Sequence, residues 1–269
     1  MKGVIAVYKK ILSKLTTRQD LTAQEISDLI FAIANDRITD VQISGFQVAL
    51  LMKSPTLSET SAIAHAMRDN CVQLRPKVSE PLMDTCGTGG GLSTFNISTA
   101  TAIVAAAAGI PVAKHGSRSI SSLSGSADVL EALGVNINLT PAQAEKLIEE
   151  IGIAFLYAPL FHPVMCKVLP PETELGIKTI FYTIIGPLIN PAFATRHILG
   201  VYKPELVDTV TQVAKDLGYT DALFVHGLDG LDEISLMCTT RINELRNGEV
   251  RSYEITPEQF GLKSCALED

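Results

Sequence analysis

Apolar and polar positions along this chain follow two different periods. Over the first seventy residues the apolar positions recur every three or four. Ile26, Leu29, Ile30 and Ile33 make one face, and Ile43, Phe46, Leu50 and Leu51 make another. That spacing predicts short amphipathic helices forming a packing layer or a dimer surface. Thr22-x-x-Glu25 and Thr56-x-x-Glu59 stand just ahead of such runs as capping boxes. Arg75-Pro-Lys-Val-Ser-Glu-Pro81 then reads as a hinge. Beyond it short apolar runs alternate with helical stretches. A helix follows Thr140-Pro-Ala-Gln143, Ala154 to Leu156 reads as a strand, and His197-Ile-Leu-Gly-Val201, Leu206 to Leu217 and Ala222-Leu-Phe-Val225 repeat strand, helix, strand. The predicted architecture is α/β: a small N-terminal all-helical domain over residues 1–74, joined by helices near 165–190, and a larger α/β domain over 79–269 with a mainly parallel sheet.

Composition narrows the class. The chain has 269 residues, 46% of them hydrophobic, enough for a sizeable core. No apolar run reaches membrane length. Met1 to Leu15 carries lysines and has no signal-peptide core, so the expected location is the cytoplasm. A net charge of −7 and an isoelectric point near 5.3 disfavour a nucleic-acid partner. Cys71, Cys86, Cys166, Cys238 and Cys265 are odd in number and lack CxxC spacing, so they read as free thiols. Cys86, although it adjoins a glycine run, reads as a packing residue.

The chemistry concentrates in three segments. In Asp84-Thr-Cys-Gly-Thr-Gly-Gly-Gly-Leu-Ser-Thr-Phe-Asn-Ile-Ser-Thr99 a strand end passes through Gly87, Gly89, Gly90 and Gly91 to Asn96, Ser98 and Thr99 at the start of an alanine-rich helix. Glycines let backbone amides approach a ligand, and a helix N-terminus offers free N–H groups and positive dipole character. A phosphate or pyrophosphate is the natural guest. Neither Gly-Lys-Ser/Thr nor a third glycine at the dinucleotide spacing follows, so the P-loop and dinucleotide fingerprints both fail.

The second segment runs from Lys114 to Asp128, with Arg118 as a further positive charge and serines between Ser117 and Ser126 as donors, a composition suited to a lid over an anionic substrate. The third is Asp232-Glu233 in a glycine-rich loop, two adjacent carboxylates able to hold Mg²⁺ beside substrate phosphates.

These residues resemble the anthranilate phosphoribosyltransferase family, in the nucleoside phosphorylase-like group. The likeness rests on Gly87-Thr-Gly-Gly90 with Asn96-Ile-Ser-Thr99, Lys114-His-Gly116, Ser124 to Gly134, Phe161-His-Pro163, Gly186-Pro-Leu-Ile-Asn-Pro191 and Gly230-Leu-Asp-Glu233, in family order over nearly the whole chain. The resemblance implies transfer of 5-phosphoribosyl from PRPP to anthranilate with release of pyrophosphate, in tryptophan biosynthesis, by a homodimer using Mg²⁺. It assigns PRPP binding to Gly87, Gly90, Thr94, Asn96, Ser98, Thr99, Lys114, Ser119, Ser121, Ser122 and Ser126. The metal would be held by Ser98, Asp232 and Glu233, and the acceptor by Gly87, His115, Ser117, His162 and Glu172. Lys114, Asp232 and Glu233 are the expected catalytic residues, acting by charge stabilisation.

Departures from the family pattern fall mostly in the acceptor region. Gly91 follows Gly-Thr-Gly-Gly where the family has Asp, and the loop is one residue short. Ser117 replaces an Asn, Glu172 an Arg that would meet the anthranilate carboxylate, and Tyr182 another Asn. Family members continue past the segment resembling Ile255 to Gly261 with further helices, whereas this sequence ends at Asp269. Two other readings therefore stand beside the enzyme: a paralogue with a different acceptor, and a non-catalytic binding homologue.

Overall fold

The structure, a computed structural model, describes residues 2–92, 94–119 and 124–266. Its elements in chain order begin with helices α1 (Lys2–Thr16), α2 (Ala23–Ala34), α3 (Asp40–Lys53) and α4 (Leu57–Asp69). Then follow β1 (Met83–Asp84), α5 (Ile97–Ala107), β2 (Val112–Gly116), α6 (Ser126–Ala132), α7 (Pro141–Ile151), β3 (Ile153–Tyr157), α8 (Ala158–Phe161) and α9 (Met165–Leu175). The last are α10 (Gly186–Leu188), β4 (Arg196–Gly200), α11 (Val207–Asp216), β5 (Asp221–Gly227), β6 (Thr240–Arg246) and β7 (Glu249–Ile255). They form two compact units, Met1–Val72 with Pro159–Ile189, and Gln73–Ala158 with Asn190–Asp269.

The first unit is helical. Both expected capping boxes close. The Thr22 hydroxyl accepts from the Glu25 amide at 3.2 Å while Glu25 accepts from the Thr22 amide at 2.9 Å. Thr56 and Glu59 do the same. Thr39-x-x-Gln42 forms a further box at the head of α3. Glu59 is fully buried and does more than cap: its carboxylate also accepts from the Leu21 amide and pairs with Lys53 at 2.7 Å. That tie fixes the α1–α2 connection against α4. α2 packs on α4, and α3 packs on both α1 and α9. From α9, Lys167 donates to the carbonyls of Ile33 and Ala34, closing the C-terminal end of α2 with a cation. A π-helical turn, Phe181–Ile185, leads into α10, a feature that helical periodicity does not announce.

The second unit carries a seven-stranded sheet in the order β3-β2-β1-β4-β5-β6-β7, parallel through β5 and antiparallel in its last two pairings. α5 packs on β2 and β3, α7 on β3, and α11 on β5 and β6. The chain builds outward from β1 to β3 and then returns to add β4 on the other side of β1. That reversal is a topological switch point, where α/β sheets bind ligands beyond the carboxyl ends of their strands. The antiparallel hairpin β6–β7 was not foreseen. Its turn is Asn247-Gly248, both with positive φ (51° and 79°), the pair that favours a tight hairpin.

Candidate active site

The carboxyl ends of β1, β2, β4 and β5 feed the site. β1 ends at Asp84, which is fully buried and has four N–H partners. One oxygen accepts from the amides of Thr85 (2.7 Å), Cys86 (3.1 Å) and His115 (3.1 Å), and the other from the Asn190 side chain at 2.7 Å. Asn190 gives its second hydrogen to the Ala113 carbonyl at 2.8 Å. One carboxylate thus joins the start of the glycine loop to the strand carrying Lys114. Such a set of amide donors offsets the desolvation of a buried charge.

The glycine loop lies on the end of β4. The Thr88 amide donates to the Gly200 carbonyl at 2.9 Å, and the Thr88 hydroxyl accepts from the Tyr202 amide at 3.0 Å. Gly87 faces Gly200 closely enough that a Cβ would sit 3.2 Å from its carbonyl oxygen, while Gly89 and Gly90 take positive φ values of 61° and 91°. The loop therefore needs glycine for two separate reasons: close approach at Gly87 and left-handed backbone at Gly89 and Gly90. A Cβ on Gly91 would run into the Asp232 carboxylate, and one on Gly200 into the Asp232 carbonyl. The glycine loop and the carboxylate loop, 141 positions apart in the numbering, are in contact.

Asn96 occupies the N-cap position of α5 without capping it. Its amide reaches instead to the Ser124 carbonyl at 3.1 Å, linking the glycine loop to the serine-rich segment. Thr94 is exposed, its hydroxyl turned to the Phe95 carbonyl. The Thr99 hydroxyl is buried and has no hydrogen-bond partner among the described residues. Ser98 offers its carbonyl to the Thr85 hydroxyl at 2.7 Å and leaves its own hydroxyl beside Lys114.

Lys114 is the most telling side chain. It is 2% exposed, and among the described residues its ammonium donates only to the hydroxyls of Thr85 and Ser98, both at 3.5 Å. Among the described residues it forms no salt bridge. A buried ammonium with such long, neutral contacts is poorly compensated, which points to an anionic guest.

Arg118, read from sequence as a further positive charge, pairs with Glu131 at 2.8 Å and Asp128 at 3.0 Å, which hold its guanidinium more firmly protonated. Asp128 also accepts from the amides of Ser119 and Gly125, and those bonds lower its pKa. It ties the two ends of the serine-rich segment together. Ser126 donates to the Ser117 carbonyl at 3.3 Å, whereas Ser121 and Ser122 lie outside the described residues. The thiol of Cys86 is pushed up to about 12, by burial first and then by Asp84, so it stays protonated and packs.

Burial raises the pKa of Asp232, and burial together with its neighbour Asp232 raises Glu233 to about 7 despite the opposing charge of Lys114. Neither carboxylate forms a salt bridge among the described residues. Two adjacent, half-buried carboxylates that resist ionisation fit a hard divalent cation. No group of three or more His, Cys, Asp or Glu stands ready to hold a metal among the described residues. A cation here would therefore complete its shell with substrate oxygens, as Mg²⁺ commonly does.

In the helical unit, His162 is buried and its pKa falls to about 4 through desolvation. Glu172 is buried too, and burial raises its pKa. It accepts from Gln47 at 3.0 Å, from the Thr179 amide at 3.2 Å and from the Thr179 hydroxyl.

Sequence reasoning passed over Asp84, Asn190, Gly200, Asp229 and Ser235. Asp84 and Asn190 stood within segments singled out, yet their partnership spans 106 positions and leaves no local pattern. His197 supports the loop: its ring meets the Cys86 carbonyl at 2.8 Å and stacks on Tyr219.

Fold and site together define a two-part α/β transferase that handles phosphate groups. The chain matches the glycosyl transferase family in both its parts, the helical bundle domain over residues 9–71 and the a/b domain over 79–269. It is 48% identical to an anthranilate phosphoribosyltransferase of Acetivibrio thermocellus over 264 residues, covering 98% of this chain and 76% of that one. The crystal structure of the anthranilate phosphoribosyltransferase (TrpD) from Thermus thermophilus superposes with a TM-score of 0.87 at 40% identity, over 96% of this chain and 76% of the other. The Saccharomyces cerevisiae enzyme in complex with PRPP and Mg gives 0.85 at 27% identity, over 100% of this chain and 76% of that one. The chain belongs to the anthranilate phosphoribosyltransferase family.

Proposed function

We propose that this protein transfers the 5-phosphoribosyl group of PRPP to anthranilate, releasing pyrophosphate, as a step of tryptophan biosynthesis. The observation that carries the reading is Lys114, a buried ammonium whose hydrogen-bond partners among the described residues are the hydroxyls of Thr85 and Ser98, and whose charge is felt by Glu233. The loop amides and the N-terminus of α5 receive the diphosphate of PRPP, and Lys114 takes up the charge that develops on it as the bond to the ribose carbon breaks. Asn96, Ser98, Thr99, Ser119 and Ser126 supply further polar contacts. Asp232 and Glu233, with Ser98, would hold Mg²⁺, which when bound offsets the charge of the leaving pyrophosphate.

An arylamine acceptor needs no strong base: the Cys86 thiol is held protonated, and His162, its pKa lowered to about 4, is a weak one. The residues proposed for the acceptor are Gly87, His115, Ser117, His162 and Glu172. Dimerisation through the N-terminal helices is supported by Val41, Val48 and Met52, exposed at intervals of seven and four along α3. A cytoplasmic location is the matching expectation. Among the described residues no helix is long and apolar enough to cross a membrane.

The test is pyrophosphate release from the purified chain given PRPP, Mg²⁺ and anthranilate, compared with the D232A/E233A variant. Release that needs both substrates and disappears in the variant supports the reading. Release that persists in the variant contradicts the role given to the two carboxylates.

A further inference from the structure

The loop that presents Asp232 and Glu233 is closed on itself by Asp229 and Ser235. Asp229 accepts from the Leu231 amide at 3.0 Å with one oxygen and from the Ser235 hydroxyl with the other. The Ser235 hydroxyl in turn accepts from the Met237 amide at 2.9 Å, and its backbone amide donates to the Thr240 hydroxyl at 2.9 Å. Ser235 is 3% exposed and Thr240 is fully buried at the first position of β6. On the other side, the Gly227 amide donates to the Leu231 carbonyl at 2.8 Å, at the last position of β5. A Cβ at Gly227 would crowd both the Asp229 carboxylate, at 2.6 Å, and Ser235, at 3.1 Å. The hydrogen bond between Asp229 and Ser235 therefore spans the loop, with Asp232 and Glu233 at its apex and both feet on paired strands.

We infer that Asp229 and Ser235 are positioning residues: their hydrogen bond presets the Asp232–Glu233 pair for a divalent cation. The inference rests on the metal reading above and adds two residues to it. The physical need is clear. Two adjacent carboxylates repel each other and favour solvent, so an unrestrained loop would turn them outward and lose conformational entropy when a cation gathered them. A clamp outside the ligand set removes that penalty in advance, as outer-shell partners of metal ligands generally do.

The direct probe is Mn²⁺ binding by the full chain, followed by electron paramagnetic resonance in the absence of substrates. Ser235→Ala and Asp229→Asn should each weaken Mn²⁺ binding about tenfold, the lower end of what loss of an outer-shell partner does. The double variant should be no worse than the weaker single one, because the two act as a unit. Ser235→Thr, which keeps the hydroxyl, should bind as the parent does. In turnover, the Mg²⁺ concentration for half-maximal rate should rise in Ser235→Ala while the rate at saturating Mg²⁺ is retained. Unchanged Mn²⁺ affinity in Ser235→Ala, with or without a lowered melting temperature, overturns the clamp and leaves the metal reading standing. Parent-like Mn²⁺ binding in D232A/E233A overturns the metal reading, and the clamp with it.

Discussion

Gly200, the last residue of β4, lies so close to Asp232 that a methyl group on its α-carbon would occupy the place of the Asp232 carbonyl. With Gly91 against the Asp232 carboxylate, the proposed metal loop is seated between two glycines from distant parts of the chain. Glycine at position 200 thus answers to a neighbour rather than to an unusual φ. Gly200→Ala should displace the loop, destabilise the chain by about 1–3 kcal/mol as overpacked sites do, and reduce turnover far more than that loss of stability explains. Thermal denaturation and steady-state rates on the same preparation would show both effects.

Lys114 makes the opposite trade. Replacing it with Met removes a buried charge that has no carboxylate partner within salt-bridge distance among the described residues. The ligand-free protein should keep its melting temperature or gain a few degrees, since exchanging poorly compensated buried charge for apolar volume is often neutral or stabilising. Pyrophosphate affinity should fall about tenfold to a hundredfold, the worth of one charge-assisted hydrogen bond of roughly 1.5–3 kcal/mol. Calorimetric titration with pyrophosphate and a melting curve test the two halves separately.

Asn190→Ala would strand one oxygen of Asp84 and the Ala113 carbonyl in the interior. The expected loss is about 1–3 kcal/mol for each buried group left unpaired. Because Asp84 anchors both the glycine loop and the strand of Lys114, KM for PRPP should rise while KM for the acceptor changes little. A common change in both constants would place Asn190 in general packing instead.

The buried imidazole of His162 gives the helical unit a pH signature. Its pKa, lowered by burial from 6.5 to about 4, lies below that of the unfolded chain. The unfolded chain therefore takes up the proton first as pH falls, and stability present above about 6.5 is lost progressively toward pH 4. A separation of about 2.5 units corresponds to about 3 kcal/mol. Glu172 acts with the opposite sign, since burial raises its pKa. Denaturant midpoints of the parent and of His162→Gln between pH 4 and 8 isolate the histidine: the acid-side decline attributed to it should vanish in the variant.

What could be read from the chain alone was what is written locally. The capping boxes at Thr22 and Thr56, the apolar face of α2, that of α3 apart from Leu51, which is exposed, and the run from Gly87 to Thr99 each carry their chemistry within a few consecutive residues. Lys114 and Asp232-Glu233 were likewise singled out from local sequence; the structure buries Lys114 and sets Asp232 against Gly91 and Gly200. The β6–β7 hairpin was legible too, in Asn247-Gly248 between alternating residues, but went unread. Asp84 with Asn190, and Gly200 with Asp232, were not legible, because each depends on strands brought together from distant sequence. Arg118 shows the converse: a basic residue in a promising loop whose charge is taken up by Asp128 and Glu131, ten and thirteen positions on.

The central claim is phosphoribosyl transfer to anthranilate, and anthranilate fluorescence reports on it most directly. PRPP and Mg²⁺ are added to the purified 269-residue chain with anthranilate, and the signal is followed with time. The account predicts a steady loss of fluorescence that requires both PRPP and Mg²⁺ and fails in Lys114→Met at the same PRPP concentration. An unchanging signal from folded protein that still binds PRPP would contradict it and would leave anthranilate out of this protein's chemistry.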